Sequence, residues 1–198
     1  MSETLMLTSN PYAPEDGERR PGTVGRALPG VRVVTDQGQA CAAGQTGHVQ
    51  VRGPNVFSGY WRLPEKTAEE FTEDAYFKTG DVGRVDADGY VSIVGRSKDL
   101  IISGGYNVYP KEIESVIDEM SGVLESAVIG VPHPDFGEAV VAVVVMRDGA
   151  TVSESTLIDT LKTRIANFKV PKRVHFVAEL PRNTMGKVQK NVLREQLG

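Results

Sequence analysis

A single cysteine, Cys41, in 198 residues excludes an internal disulfide and fits a reducing compartment, so a cytoplasmic protein is expected. No apolar run approaches the roughly 20 residues of a membrane-spanning helix. The longest, residues 139–146, has the length of a strand. The first residues are polar and carry neither region of a signal peptide. Basic clusters are also absent. The 22 Lys and Arg are dispersed and outnumbered by 26 Asp and Glu, and a net charge of −4 leaves no electrostatic footprint for nucleic acid. His48, His133 and His175 stand at no metal-like spacing to one another or to Cys41, and all four residues are read as structural. A phosphate loop is missing too: there is no G-x-x-x-x-G-K-[ST] and no glycine-dense Ser/Thr run. Internal repeats and low-complexity tracts are likewise lacking.

What is present changes character near residue 95. Residues 22–95 read as short β segments broken by turns: residues 31–34, residues 48–52, and a hairpin of 84–86 with 90–94 across Ala87-Asp88-Gly89. One helix interrupts them, residues 64–73, with Pro64 in its first turn. The pattern predicts a small barrel-like or sandwich-like subdomain. Residues 1–21 carry too much Pro, Gly and charge to be structured alone.

Beyond it, strands and helices alternate. Residues 100–103 and 106–109 are extended pieces around Gly104-Gly105, and Pro110 opens a helix over 110–120 with Ile113, Val116 and Ile117 on one face. Residues 126–131, 139–146 and 174–177 are strand candidates. Ser153 can cap a helix running to about Asn167. The fold class expected is α+β: a small β-rich, barrel-like subdomain over 1–95, then a compact α+β lid domain over 96–198.

The run Pro181-Arg182-Asn183-Thr184-Met185-Gly186-Lys187 mounts a lysine on a loop. Pro181 ends the extended segment 174–180, Asn183 and Gly186 tolerate positive φ, and a helix is predicted over 187–197. Such a lysine suits a phosphate or a carboxylate, although a solvated loop lysine gives the same local pattern.

Three upstream motifs accompany it: Phe77-Lys78-Thr79-Gly80-Asp81; Gly95-Arg96-Ser97-Lys98-Asp99 through Gly104-Gly105-Tyr106-Asn107 to Glu112-Ile113-Glu114; and Met1-Ser2-Glu3-Thr4. In this order and spacing the chain resembles the adenylate-forming acyl-CoA synthetases, over essentially its whole length. Within them, Thr8–Tyr12, Gly53–Phe57 and Val131–Glu138 look like the malonyl-CoA synthetases. Members of the resembled family are much longer and begin with a large domain carrying the phosphate loop. The family's Tyr-Gly-x-Thr-Glu motif is represented here only by Met1, Ser2 and Glu3, so a C-terminal portion of a larger enzyme is expected, inactive alone and completed by a missing N-terminal domain.

The resemblance implies ATP, Mg²⁺ and coenzyme A, with a small carboxylate as co-substrate. It assigns Lys187 to catalysis, bridging the carboxylate and the α-phosphate. Asp81 would accept from the ribose hydroxyls, Arg96 would lie near ribose and phosphates, and Ser2, where the family has threonine, would contact phosphate. Glu3 would hold Mg²⁺, Lys98 would be the hinge, and Gly104 and Gly105 would line the coenzyme A channel. An aspartate in a turn, an arginine in a salt bridge and an ordinary glycine hairpin remain alternatives for these positions. For the whole, another short- or medium-chain acyl-CoA or aryl-CoA ligase remains open, as does a non-catalytic docking module.

Overall fold

The computed structural model describes residues 1–28 and 30–198. It is α+β and divides into two compact units, Met1–Lys98 and Asp99–Gly198.

The first unit is β-rich. β1 (Thr8–Ser9) and β2 (Arg26–Ala27) form an antiparallel ribbon, which gives the Pro- and Gly-rich start a partner it could not find alone. Arg20 ties the same region down, donating to Asp86 and Asp88 and lying 4.3 Å from the Tyr90 ring. The main sheet is an antiparallel meander of β3 (Val31–Val34), β4 (Gly47–Val51), β5 (Phe77–Val85) and β6 (Val91–Arg96), in that order. Its core joins Val33, Val49, Val51 and Phe77 to the Phe57 and Phe71 rings, with centroids 5.1 and 5.4 Å from that of Phe77. The helix expected to run to residue 73 is α1 (Pro64–Glu70) and stops earlier. Phe71 turns extended there (φ −112°, ψ 150°) and bridges to Phe77, so its backbone belongs to the sheet edge rather than to a further helical turn.

The second unit is built around β10 (Gly137–Met146). It pairs antiparallel with β9 (Val123–His133), parallel with β11 (Arg173–Val177), and meets β7 (Ile101–Ser103) at Gly137; β7 in turn pairs with β8 (Tyr106–Val108). The unbroken apolar run of β10 has a physical cause, because both faces of the strand are covered. Val140, Ala142 and Val144 face the core shared with α2 (Pro110–Asp118) and α3 (Glu154–Arg164). Val141, Val143 and Val145 pack with Leu180 and with Leu193 of α4 (Lys190–Leu197). Ser153 caps α3 as expected, its Oγ accepting from Thr156 N–H at 3.1 Å.

Several boundaries differ from expectation. The strands expected over 126–131 and 139–146 are longer, because each is the other's ladder partner from Val123↔Met146 to His133↔Gly137. α2 ends at Asp118 and α3 at Arg164, each short of its expected end. The extended segment drawn to residue 180 leaves its ladder with β10 at Val177. The helix expected from Lys187 begins at Lys190, since the backbone of 187–189 pairs back across the loop. Asn183 N–H donates to the Lys187 carbonyl and Gln189 N–H to that of Pro181. Asn183 itself is absent from the positive-φ residues, whereas Gly186 has φ +76°. Asn183 makes the turn through its side-chain oxygen instead.

Candidate active site

Asp81 lies in β5 directly opposite Arg96 of β6. Gly80 before it takes φ +73°, and the β4–β5 register slips between His48 and Gln50. This irregularity re-aims the side chains that follow. Arg96 Nε lies 2.8 Å from Asp81 Oδ1 as an ion pair, and Arg96 Nη1 donates to the Thr79 carbonyl at 3.3 Å. Thr79, buried, donates through Oγ1 to the Val49 carbonyl at 2.9 Å and accepts from Asp81 N–H at 3.1 Å. Burial pushes the Asp81 carboxyl above its ordinary value, and the Arg96 guanidinium pulls it back down.

Asp81 lines a cavity of about 560 Å³ in the first unit, together with Met1, Thr4 and Thr79. Met1 and Thr4, which flank the residues assigned to phosphate and magnesium, thus line the same cavity as the aspartate assigned to ribose, whereas Ser2 and Glu3 are not among its lining residues. Ser2 is exposed and Glu3 half-buried. The Glu3 carbonyl accepts from Phe57 N–H at 2.8 Å. Desolvation, reinforced by the Glu3 carboxylate, raises the Tyr60 phenol above its ordinary value. Thr4 is fully buried, and its hydroxyl is without a hydrogen-bond partner among the described residues. Among the described residues, no group of three or more His, Cys, Asp or Glu side chains could enclose a metal. The chemistry at Glu3 fits Mg²⁺ held by one carboxylate plus phosphate oxygens.

Lys98 is the exposed middle residue of a 3-10 turn, Ser97–Asp99, where the chain passes from one unit to the other. Ser97 is held to the first unit through its Oγ, 3.1 Å from His48 Nδ1, and Asp99 to the second by Arg194 at 3.6 Å. His48 also meets Asp36 at 2.7 Å, which gives this histidine its structural partners. Cys41 is half-buried, and desolvation raises its thiol above the ordinary value.

In the second unit, Gly104 (φ +57°) and Gly105 (φ +81°) form the exposed two-residue turn between β7 and β8. Positive φ at both positions is the primed hairpin geometry, which disfavours residues with a Cβ. Gly104 N–H donates to the Phe136 carbonyl at 2.9 Å. Around this tip lies a group that sequence reading missed. Tyr106 stacks on Phe168 with centroids 4.6 Å apart and planes inclined by 22°, and Lys169 Nζ stands 5.6 Å from the Phe168 ring centre. Lys172 Nζ stands 5.1 Å from the Phe136 ring centre. The three rings are exposed, and the Lys169 ammonium is also paired with Glu112 at 2.6 Å. These residues come from three separate segments, so no local spacing announces them.

Lys187 sits on the exposed loop before α4, in the same unit as Gly104 and Gly105, and its ammonium has no hydrogen bond or ion pair among the described residues. Ser2, Glu3, Asp81 and Arg96 thus belong to the first unit, and Gly104, Gly105 and Lys187 to the second.

Residues 1–61 match the AMP-binding enzyme family model, and residues 112–187 the AMP-binding enzyme C-terminal domain. Indoleacetate–CoA ligase of Aromatoleum aromaticum is 44% identical over 92% of the chain and 36% of its own length. Malonate–CoA ligase of Arabidopsis thaliana is 43% identical over 100% of the chain and 34% of its own length. Among solved structures, ATP-bound MatB from Rhodopseudomonas palustris is 61% identical, covering 99% of this chain and 39% of that one, with a TM-score of 0.90. The chain spans about a third of the length of the curated relatives it matches. With both models matched in order and relatives above 40% identity along nearly all of its length, the chain belongs to the AMP-binding, adenylate-forming enzyme family.

Proposed function

We propose that this chain supplies the C-terminal part of an ATP-dependent, AMP-forming acyl-CoA ligase, with malonate as the carboxylate. The observation that carries the reading is the 61% identity over 99% of the chain with a MatB structure that holds ATP. Malonate is supported by the malonate–CoA ligase relative and by the three segments that look like the malonyl-CoA synthetases. An indoleacetate ligase at 44% identity, against 43% for the malonate ligase, gives the test its competitor.

In the first half-reaction a substrate carboxylate oxygen attacks the α-phosphorus of ATP and pyrophosphate leaves; in the second, the coenzyme A thiol attacks the acyl carbon and AMP leaves. Asp81 accepts from the ribose hydroxyls through its carboxylate, whose Oδ1 lies 2.8 Å from Arg96 Nε. Arg96 adds positive charge beside ribose and phosphates, and the Ser2 hydroxyl donates to phosphate. The unpartnered Lys187 ammonium offsets the charge that gathers as two anions meet. Glu3 would hold Mg²⁺, which when bound neutralises phosphate oxygens. The Gly104-Gly105 turn lets the thin pantetheine pass close to backbone, with the Tyr106–Phe168 platform available to the nucleotide end of coenzyme A.

Residues 1–95 read as the end of the adenylation domain and residues 96–198 as a mobile lid pivoting at Lys98. Presenting malonate, indoleacetate and sulfoacetate to the full-length enzyme tests the assignment: malonate should give the highest kcat/KM. A higher value for either competitor would remove malonate but leave the ligase reading standing. Absence of AMP formation with any carboxylate would remove both.

A further inference from the structure

The loop that carries Lys187 is held by side chains as well as by its turn. Both groups of the single peptide joining Gly186 to Lys187 are tied. Arg182 Nη1 donates to the Gly186 carbonyl at 2.6 Å, and Lys187 N–H donates to Asn183 Oδ1 at 2.9 Å. The next peptide is tied as well, Asn183 N–H donating to the Lys187 carbonyl at 2.9 Å. With the planar peptides on either side of its Cα held, Lys187 keeps little freedom in φ and ψ. Arg182 is itself paired with Glu125 on β9, and its backbone bridges to Val188. Asn183 Oδ1 takes a second donor, Met185 N–H, at 3.0 Å.

The contrast with the side chain is sharp. Lys187 is exposed, and no described residue engages its ammonium. A constrained backbone beneath an uncommitted charge suits a group that must meet a developing anion without first being ordered, because ordering in the transition state costs entropy there. The turn itself does not require this many ties, since Gly186 at φ +76° already permits the reversal.

We infer that Asn183 and Arg182 are positioning residues for Lys187, acting through the peptide at 186–187, with Glu125 anchoring Arg182. The inference rests on Lys187 being the adenylation lysine. It adds the residues that aim it.

Amide hydrogen exchange in the 198-residue chain reads the loop directly. Asn183→Ala should speed exchange at Met185 and Lys187 by about tenfold, and Asn183→Asp, which keeps the acceptor, should restore protection. In the full-length enzyme, Asn183→Ala and Arg182→Met should each lower kcat for adenylation by about 10- to 10²-fold while the KM for ATP stays within about twofold. Asn183→Asp should recover most of that kcat. Unchanged exchange at Lys187 in Asn183→Ala overturns the positioning role. So does full kcat in that variant beside a crippled Lys187→Ala enzyme. A fully active Lys187→Ala enzyme overturns the role of the lysine, and its positioning residues fall with it.

Discussion

Asp81 and Arg96 face each other across the β5–β6 ladder, fifteen residues apart in sequence and joined by a 2.8 Å Nε–Oδ1 contact. Burial opposes the aspartate's charge and Arg96 favours it, so the pair holds a carboxylate where water alone would not be sufficient. Such an arrangement sets stability against function.

Since the folded-state pKa of Asp81 lies above the unfolded one, its contribution to folding is present below the ordinary carboxylate value of 3.8 and is lost as pH rises through the folded value. At neutral pH the ionised group is therefore a burden. Asp81→Asn should raise the urea midpoint at pH 7, with the gain disappearing near pH 3, and should weaken ATP use in the full-length enzyme. Arg96→Gln should shift the acid limb of kcat/KM for ATP toward higher pH, because the counter-charge is gone. Equal urea midpoints for Asp81→Asn and wild type at pH 7 would show that burial imposes no such penalty.

Lys187→Ala in the full-length enzyme should slow adenylation by about 10²–10³-fold, the usual loss for one charge-assisted contact made in the transition state. Thioester formation from preformed acyl-adenylate should be spared. Pyrophosphate exchange measures the first step, and release of AMP from supplied acyl-adenylate the second. Equal slowing of both would make Lys187 structural.

Lys98→Pro tests the pivot. The 3-10 turn at Ser97–Asp99 accepts the φ of proline at residue 98. Proline there disfavours the helical region for Ser97, the turn's first residue, so the urea midpoint of the variant is compared with wild type before its rates are read. Thioester formation should slow far more than adenylation, the reverse of Lys187→Ala. Wild-type rates in both steps would place the pivot elsewhere.

Glu114 offers a stability measurement independent of catalysis. It is 7% exposed, and its Oε1 accepts both Val128 N–H at 2.9 Å and Lys190 Nζ at 2.6 Å, linking α2, β9 and α4. Glu114→Ala leaves an ammonium and an amide unpaired and should cost about 3 kcal/mol in urea unfolding. Asp159→Ala, which breaks an exposed pair with Lys162, should cost less than about 0.5 kcal/mol. A Glu114→Ala loss below about 1 kcal/mol would mean that water replaces the carboxylate.

Much of this protein is determined by its sequence alone, wherever the cause is local. An apolar run long enough for a strand marks β10, Pro110 opens α2, Ser153 caps α3, and Gly104-Gly105 closes a hairpin, because each depends on a few neighbouring residues. The family motifs are local as well, which is why Lys187 and Asp81 stand out in the bare chain. Tertiary structure decided what depends on partners distant in sequence. It converted residues 187–189 from a first helical turn into a side-chain-tied loop, since backbone bonds with Pro181 and Asn183 take the place of helical ones there. It ended α1 at Glu70 by drawing Phe71 to the sheet, and it set Asp81 against Arg96 through strand register. It also stacked Tyr106 on Phe168 across 62 residues of sequence, placing two exposed rings against each other. Hydrophobic periodicity and turn chemistry act over a few residues, whereas ladder register and packing choose partners across the whole unit.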